Sequence, residues 1–397
     1  MMDNWNIHLM EWHFEDTIQW RRHLHMNPEL SYQEKETSAF IAQKLLEFGI
    51  DVKTGIGGYG VVGTIYNGEG PIVALRADMD ALPIQDEKAC EYRSTVMDVM
   101  HACGHDGHVA SLLSAARLLN QHRDKWKGEL RFIFQPAEEV SPGGAQAMIK
   151  EGVLKGVDAI YGVHLWAPLK LGQIATREGA MMAAVDDFNL TIYGRGGHGG
   201  IPNACIDTVV IGAAIVQQLQ SIVSRNVSPL EPAVITVGSI QAGSTQNVIA
   251  DRAVLKGTIR SFNPEVRELL RARLETMVEH MCAMYGATFQ LDYKVGYPAV
   301  VNPAAEAARV ERVVRETFGE EYVAATEMMM PAEDFSYYLN EIPGCFVFVG
   351  AGNDEGAKYP HHHPRFDIEE QAMLHASKLL IALALDVLSS GNIVIKK

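Results

Sequence analysis

Apolar and polar positions along this chain follow two rhythms. Over 34–48, Phe40, Ile41, Leu45 and Leu46 recur at helical spacing, and Gly49 suits the C-terminal cap. The apolar run 71–75 has strand length. Over 108–122, Val109, Leu112, Leu113, Ala116 and Leu119 share one helical face, and 129–135 and 158–163 read as further strands. This βαβ alternation predicts a largely parallel sheet with helices on both faces. Near Val185 the rhythm changes to strand 188–193, helix 207–224, strands 233–237 and 253–259, helix 264–284 and strand 288–293. That order, β-α-β-β-α-β, is a ferredoxin-like split unit able to fold as its own domain. After Pro303 the first rhythm returns with helix 304–317, strand 345–349 and a buried final helix around 379–388. The expected fold is α/β with a mostly parallel sheet, formed by 1–184 plus 296–397. An α+β domain is inserted at 185–295.

Length agrees, because 397 residues exceed the size at which one core keeps growing. The apolar fraction of 47% and charged fraction of 21% are those of an ordinary globular protein. A formal charge of −15 argues against nucleic acid or an anionic membrane as partner. The stretch 1–12 has no apolar signal core, and no apolar run approaches the roughly 18–20 residues of a membrane span. Five scattered cysteines do not form a disulfide framework, which points to a reducing, cytoplasmic setting.

Candidate chemistry concentrates in a few loops. Met100–His108 packs Cys103 and three imidazoles, His101, His105 and His108, into nine residues. Glu138–Glu139, His164 and His361–His363 follow downstream. Thiolate, imidazole and carboxylate together are ligands for zinc-like cations. Each cluster lies just after an expected strand or before an expected helix, as does Arg76-Ala-Asp78-Met-Asp80 after strand 71–75. In an open parallel sheet such loops converge at the carboxyl ends of the strands. Taken alone, Glu138–Glu139 would be a solvated turn and the triple histidine a polar loop. Isolated histidines such as His13, His23 and His122 suit satisfied core positions, and Cys90, Cys205, Cys282 and Cys345 suit small buried hydrophobes. Adjacent carboxylates in one turn can divide labour, one on a metal and one on a water. Ligands of mixed type make a two-metal site plausible, with Cys103 as a candidate bridge.

Six segments together resemble one family: Arg76–Pro83, Met100–His108, Gln135–Glu139, Gly196–Gly200, Asn247–Asp251 and His362–Asp367. They are similar to the M20 metallopeptidases. More narrowly, they resemble the amidohydrolase branch of aminoacylases, hippurate hydrolases, N-acetyldiaminopimelate deacetylases and auxin-conjugate hydrolases. The resemblance runs over nearly the whole chain. It implies a di-metal catalytic domain, an inserted lid that dimerises, and hydrolysis of N-acyl amino acids to a carboxylic acid and a free amino acid. Carried over, the metal ligands are Cys103, His105, Glu139, His164 and His362. Glu138 is the general base, Asp80 orients a ligand, and His198 stabilises the oxyanion, often across a dimer. Asn247 and Arg260 match positions that hold the substrate's carboxylate and acyl carbonyl. Asp78 stands where the wider family has a His, and Cys103 where it has a bridging Asp. A thiolate favours two divalent ions of softer kind, zinc first, with cobalt, manganese or nickel as alternatives. Spacing to Pro364 favours His362 among His361, His362 and His363. A carboxypeptidase or dipeptidase on the same scaffold, or a binding protein that has lost catalysis, are the rival readings.

Overall fold

Strand Ile72–Asp78 is buried along nearly all its length, as a central strand covered on both faces must be. In the computed structural model, which describes residues 13–352 and 359–390, it lies inside an eight-stranded sheet. The polar start at 1–12 and residues 353–358 of the glycine-bearing loop after Val349 lie outside the described residues. The chain forms two compact units. The first comprises Met1–Met181, Val301–Glu327 and Asp334–Lys397, and the second Met182–Val300 with Met328–Glu333.

In the first unit the sheet order is Asp51–Ile56, Gly60–Tyr66, Glu129–Gln135, Ile72–Asp78, Ala159–Lys170, Gly344–Gly352, Ile174–Ala175, Val323–Ala324. The four strands from Glu129–Gln135 to Gly344–Gly352 are mutually parallel. Antiparallel pairings flank this parallel heart. The fold is therefore mixed α/β with a largely parallel central sheet. The edge hairpin Asp51–Ile56/Gly60–Tyr66 was not foreseen, because the first of these strands buries none of its residues fully and so carries no apolar pattern.

Two elements differ from expectation near the candidate loops. The helix expected from His108 starts earlier and spans His105–Gln121. Gly104, at φ +93°, turns the loop into it, a left-handed conformation glycine adopts freely. A Cβ on Gly107 would lie 2.6 Å from Leu165 Cδ1, so the helix start presses on strand Ala159–Lys170 only because that residue is glycine. These glycines weaken the helical signal in the sequence and hid the true start. The strand expected to stop at Val163 continues to Lys170, in parallel register with Gly344–Gly352 through Trp166 and shifted beyond it, where Lys170 pairs with Gly352. Polar His164 and Pro168 had interrupted its apolar pattern.

The final helix Gln371–Ser390 is long and apolar enough to cross a membrane by composition, yet it packs on helix His105–Gln121 and strand Ala159–Lys170. Leu379, Leu380, Leu383 and Val387 join one continuous core there. Cys282 and Cys345 are buried as read, whereas Cys90 and Cys205, in loop segments, are only half-buried. His13, His23 and His122 also depart from the reading, for none is buried. Among the described residues the buried histidines are instead His25, His101, His105, His108 and His164.

The second unit has the expected β-α-β-β-α-β order. Its antiparallel sheet runs Ala233–Ala242, Arg252–Ser261, Ala184–Tyr193, Thr288–Val295. Helices Thr208–Asn226 and Pro264–Tyr285 pack against each other and the sheet, burying Phe188, Leu190, Ile192, Leu255, Leu219 and Leu274. Asp207 and Asn263 cap the two helix starts through their side chains.

Candidate metal centre

Two histidines are aimed by their Nδ1 atoms. His105 Nδ1 donates to the Asp80 carbonyl at 2.9 Å, with Asp80 Oδ1 at 3.3 Å. His164 Nδ1 donates to the Leu165 carbonyl at 3.1 Å. A neutral imidazole that donates through one nitrogen keeps a lone pair on the other. The free Nε2 atoms sit beside acidic partners: His164 Nε2 lies 3.5 Å from Cys103 Sγ, and His105 Nε2 lies 3.9 Å from Glu139 Oε1. Cys103, His105 and Glu139 bring one ligand-type atom each within 4.8 Å of one another. His105 Nε2 and Glu139 Oε1 are buried with no hydrogen-bond partner.

The three histidines differ in what each ring bonds. His361 also falls within 4.8 Å of Cys103 and His164. Its Nε2 accepts from the Ala167 amide at 3.2 Å while the ring stacks on Trp166, and its Nδ1 is buried without a hydrogen-bond partner, so that nitrogen is open to a cation. His363 Nδ1 accepts from the Arg365 amide. His362 Nε2 instead lies 3.3 Å from Glu139 Oε1, and its amide is pinned to the Ala102 carbonyl at 2.8 Å. His108 is fully engaged, donating to Asp78 Oδ1 at 2.6 Å and accepting from the Leu165 amide at 2.8 Å.

Charge in this cluster is heavily negative. Burial alone would lower His105, but Asp78, Asp80 and Glu139 lift it to about 10, so Nε2 offers its lone pair only to a cation that displaces its proton. Burial would likewise raise Asp78, yet His105, Arg76 and His108 hold it well below the ordinary carboxylate range. Burial, together with Glu139, Glu138 and Asp78, pushes the Cys103 thiol well up. Burial beside other imidazoles keeps His164 well below its usual value, and so neutral. An unpartnered imidazole nitrogen, an unpartnered carboxylate oxygen and a thiol among carboxylates are the donor set that a soft divalent cation would satisfy. The residues present fit such an ion.

Comparison with known proteins shows the family. The pattern of peptidase family M20/M25/M40 matches residues 74–386. The chain belongs to that family. It is 50% identical over 374 residues to YhaA of Bacillus subtilis, covering 94% of each chain. It is 41% identical to thermostable carboxypeptidase 2 of Saccharolobus solfataricus, covering 90% of this chain and 91% of that one. It is 45% identical to the N-acyl-L-amino acid amidohydrolase of Geobacillus stearothermophilus, covering 72% and 78%. A solved Bacillus subtilis structure, described as a dinuclear metal-binding peptidase of family M20, superposes with TM-score 0.82 at 36% identity, covering 96% of this chain and 99% of that one.

In this M20 chain the second carboxylate, Glu138, is buried directly beside Glu139. Asp80 ties the cluster together, for its Oδ2 accepts from Ser31 Oγ at 2.6 Å and from the Glu139 amide at 3.0 Å. In the second unit, strand Gly197–His198 pairs with Val248–Ile249, which sets His198 beside Asn247. His198 is exposed, and its Nδ1 accepts from the Gly200 amide at 3.0 Å, so the proton sits on Nε2 and faces outward as a donor. Arg260 is not brought to them. It lies at the far end of strand Arg252–Ser261, on the order of 25 Å along from the His198 turn by strand rise. Burial lowers its guanidinium from the ordinary value, while Asp187 and Asp186 oppose that.

Sequence reasoning missed the ionic supports. Arg76 bonds Gln135, Asp78 and Asp334, and burial raises Asp334 to about 6 despite that arginine. Arg21, fully buried, holds Asp106 at 2.9 Å, Asp367 at 2.5 Å and Glu370 at 3.2 Å. It thereby ties the residue after His105 to the segment after His363. Asp106 and Asp367 each sit in a segment already singled out, and that adjacency was the one available signal. Nothing local marks Arg21.

Proposed function

We propose that the chain is a metal-dependent amidohydrolase that cleaves N-acyl-L-amino acids to a carboxylic acid and a free amino acid. One observation carries the reading: His105 Nε2 and Glu139 Oε1, buried and without hydrogen-bond partners, stand with Cys103 beside a second buried carboxylate, with His362 Nε2 3.3 Å from Glu139 Oε1 and His164 Nε2 3.5 Å from Cys103 Sγ. Those five residues would hold two divalent ions, zinc first, with cobalt, manganese or nickel as alternatives. When bound, such ions polarise an amide carbonyl and lower the pKa of water. Glu138 takes the proton from the attacking water and returns it to the leaving amine nitrogen. Asp80 fixes His105 through Nδ1 and Glu139 through its amide. His198 Nε2 supplies the donor for the developing oxyanion, and Asn247 and Arg260 hold the substrate's carboxylate and acyl carbonyl.

In this reading 1–184 plus 296–397 is the catalytic domain and 185–295 the lid and dimerisation domain. The span between Arg260 and His198 supports a homodimer. One small substrate cannot touch both from a single copy, so His198, with Asn247 beside it, would act from a second. A soluble cytoplasmic enzyme, with neither nucleic acid nor membrane as partner, suits the charge of −15.

Glu138→Ala should abolish turnover while metal content, read by elemental analysis, stays at the wild-type level. Loss of metal in that variant would refute the role. Carboxypeptidase or dipeptidase action is the second reading, favoured by the 41% identity to a thermostable carboxypeptidase. Unblocked dipeptides compared with N-acyl amino acids separate the two.

A further inference from the structure

Besides His362, two non-glycine residues with left-handed backbone lie in segments that hydrogen-bond to each other beside the metal cluster. Ala137, at φ +54°, immediately precedes Glu138, and Tyr32, at φ +64°, lies in the turn after Leu30. Strained backbone of this kind persists only where the surroundings over-determine it. Here the surroundings are one short segment, Ser31 to Glu34. Glu34 Oε1 accepts from the Ala137 amide at 2.7 Å. Tyr32 OH donates to the Val140 carbonyl at 3.0 Å. Ser31 Oγ donates to Asp80 Oδ2 at 2.6 Å, and that same oxygen accepts from the Glu139 amide. Both loops that carry the cluster's carboxylates are thus pegged by one segment, 49 residues from Asp80 and 103 from Ala137 in sequence.

Glu34 is an unusual peg. It is fully buried, its Oε2 has no hydrogen-bond partner, and a hydrophobic or shorter side chain would serve helix Lys35–Glu47 equally well, since Glu34 makes no side-chain cap there. The Ala137 carbonyl is held from the other side by the Gly144 amide at 3.1 Å. With both of its backbone groups fixed, Ala137 has one orientation, and the side chain of Glu138 leaves the turn in one direction.

We infer that Glu34 is a positioning residue that sets the Ala137–Glu138 turn, with Ser31 doing the same for Glu139 through Asp80. This rests on the proposed roles of Glu138 and Glu139. A base misplaced by about 1 Å costs on the order of 100-fold in rate. Glu34→Ala removes the acceptor. Glu34→Gln keeps an oxygen for the Ala137 amide, removes the charge and adds a buried N–H.

The test uses full-length protein reconstituted with zinc, and follows metal affinity, hydrolysis of N-acetyl-L-methionine and amide exchange at Ala137. Glu34→Ala should keep wild-type zinc stoichiometry and KM, lose about 10- to 100-fold in kcat, and lose protection at Ala137. Glu34→Gln should restore both protection and most of kcat. Ser31→Ala, which removes one hydroxyl, should weaken zinc binding up to about 10-fold. Unchanged kcat or unchanged Ala137 exchange in Glu34→Ala would overturn the inference. So would a Gln variant as impaired as the Ala variant, because charge and not the hydrogen bond would then matter. Wild-type protein that binds zinc and protects Ala137, yet hydrolyses neither N-acyl amino acids nor dipeptides, would sink the proposed function and leave the positioning geometry standing.

Discussion

Replacing Glu34 by Gln should reshape the pH dependence of stability. Burial is the main cause that lifts this carboxyl from 4.5 to about 7, with the nearby Asp80 charge acting in the same direction. A raised value means the folded state holds the proton more tightly than the unfolded chain. Folding therefore loses stability as pH rises above 4.5, and the loss is complete once pH passes about 7. At about 1.4 kcal/mol per pH unit, that interval amounts to about 3.4 kcal/mol. Between about pH 5 and pH 8 the wild type should lose about 2.5 kcal/mol that Glu34→Gln does not lose. The new amide brings a buried N–H without a partner, at about 1–3 kcal/mol, but that cost is the same at every pH. Urea unfolding of chelated wild type and variant across this range isolates the difference. Stability curves that run parallel within about 0.5 kcal/mol would refute the account of Glu34 as a buried, proton-holding group.

Arg21→Met should destabilise the first unit by about 3–5 kcal/mol, because Asp106 is left buried without its guanidinium. Thermal melts would check this, and a loss below about 1 kcal/mol would contradict it. Mixing His198→Ala with Glu138→Ala should recover part of the activity through hybrid dimers. No recovery, with mixed dimers shown to form, would place His198 outside the partner's site.

Much of the architecture was legible because it rests on local pattern. Strand Glu129–Gln135 and helix Ala304–Thr317 lie where their apolar spacing puts them, and the β-α-β-β-α-β rhythm of the second unit follows from alternation alone. What failed locally was glycine-dependent or polar: the start of helix His105–Gln121 and the continuation of strand Ala159–Lys170 through His164 and Pro168. Cys103, His105, Glu139 and His164 drew attention because their residue types are rare in such company, and the fold brings them together. The supports did not show. Arg21 reaches Asp367 across 346 residues and Glu34 reaches Ala137 across 103, and their burial follows only from the packed sheet. An arginine or glutamate of that kind looks like surface charge until the chain is folded.

The most direct measurement is amino-acid release from a panel of N-acetyl, N-benzoyl and long-chain N-acyl amino acids. Purified protein would be assayed as prepared, after chelation, and after addition of zinc, cobalt, manganese or nickel. Release that disappears with chelation and returns with metal is the expected result. No release with any metal, from a protein shown to bind two ions, would contradict the central claim and move the assignment to peptides or to a binding role.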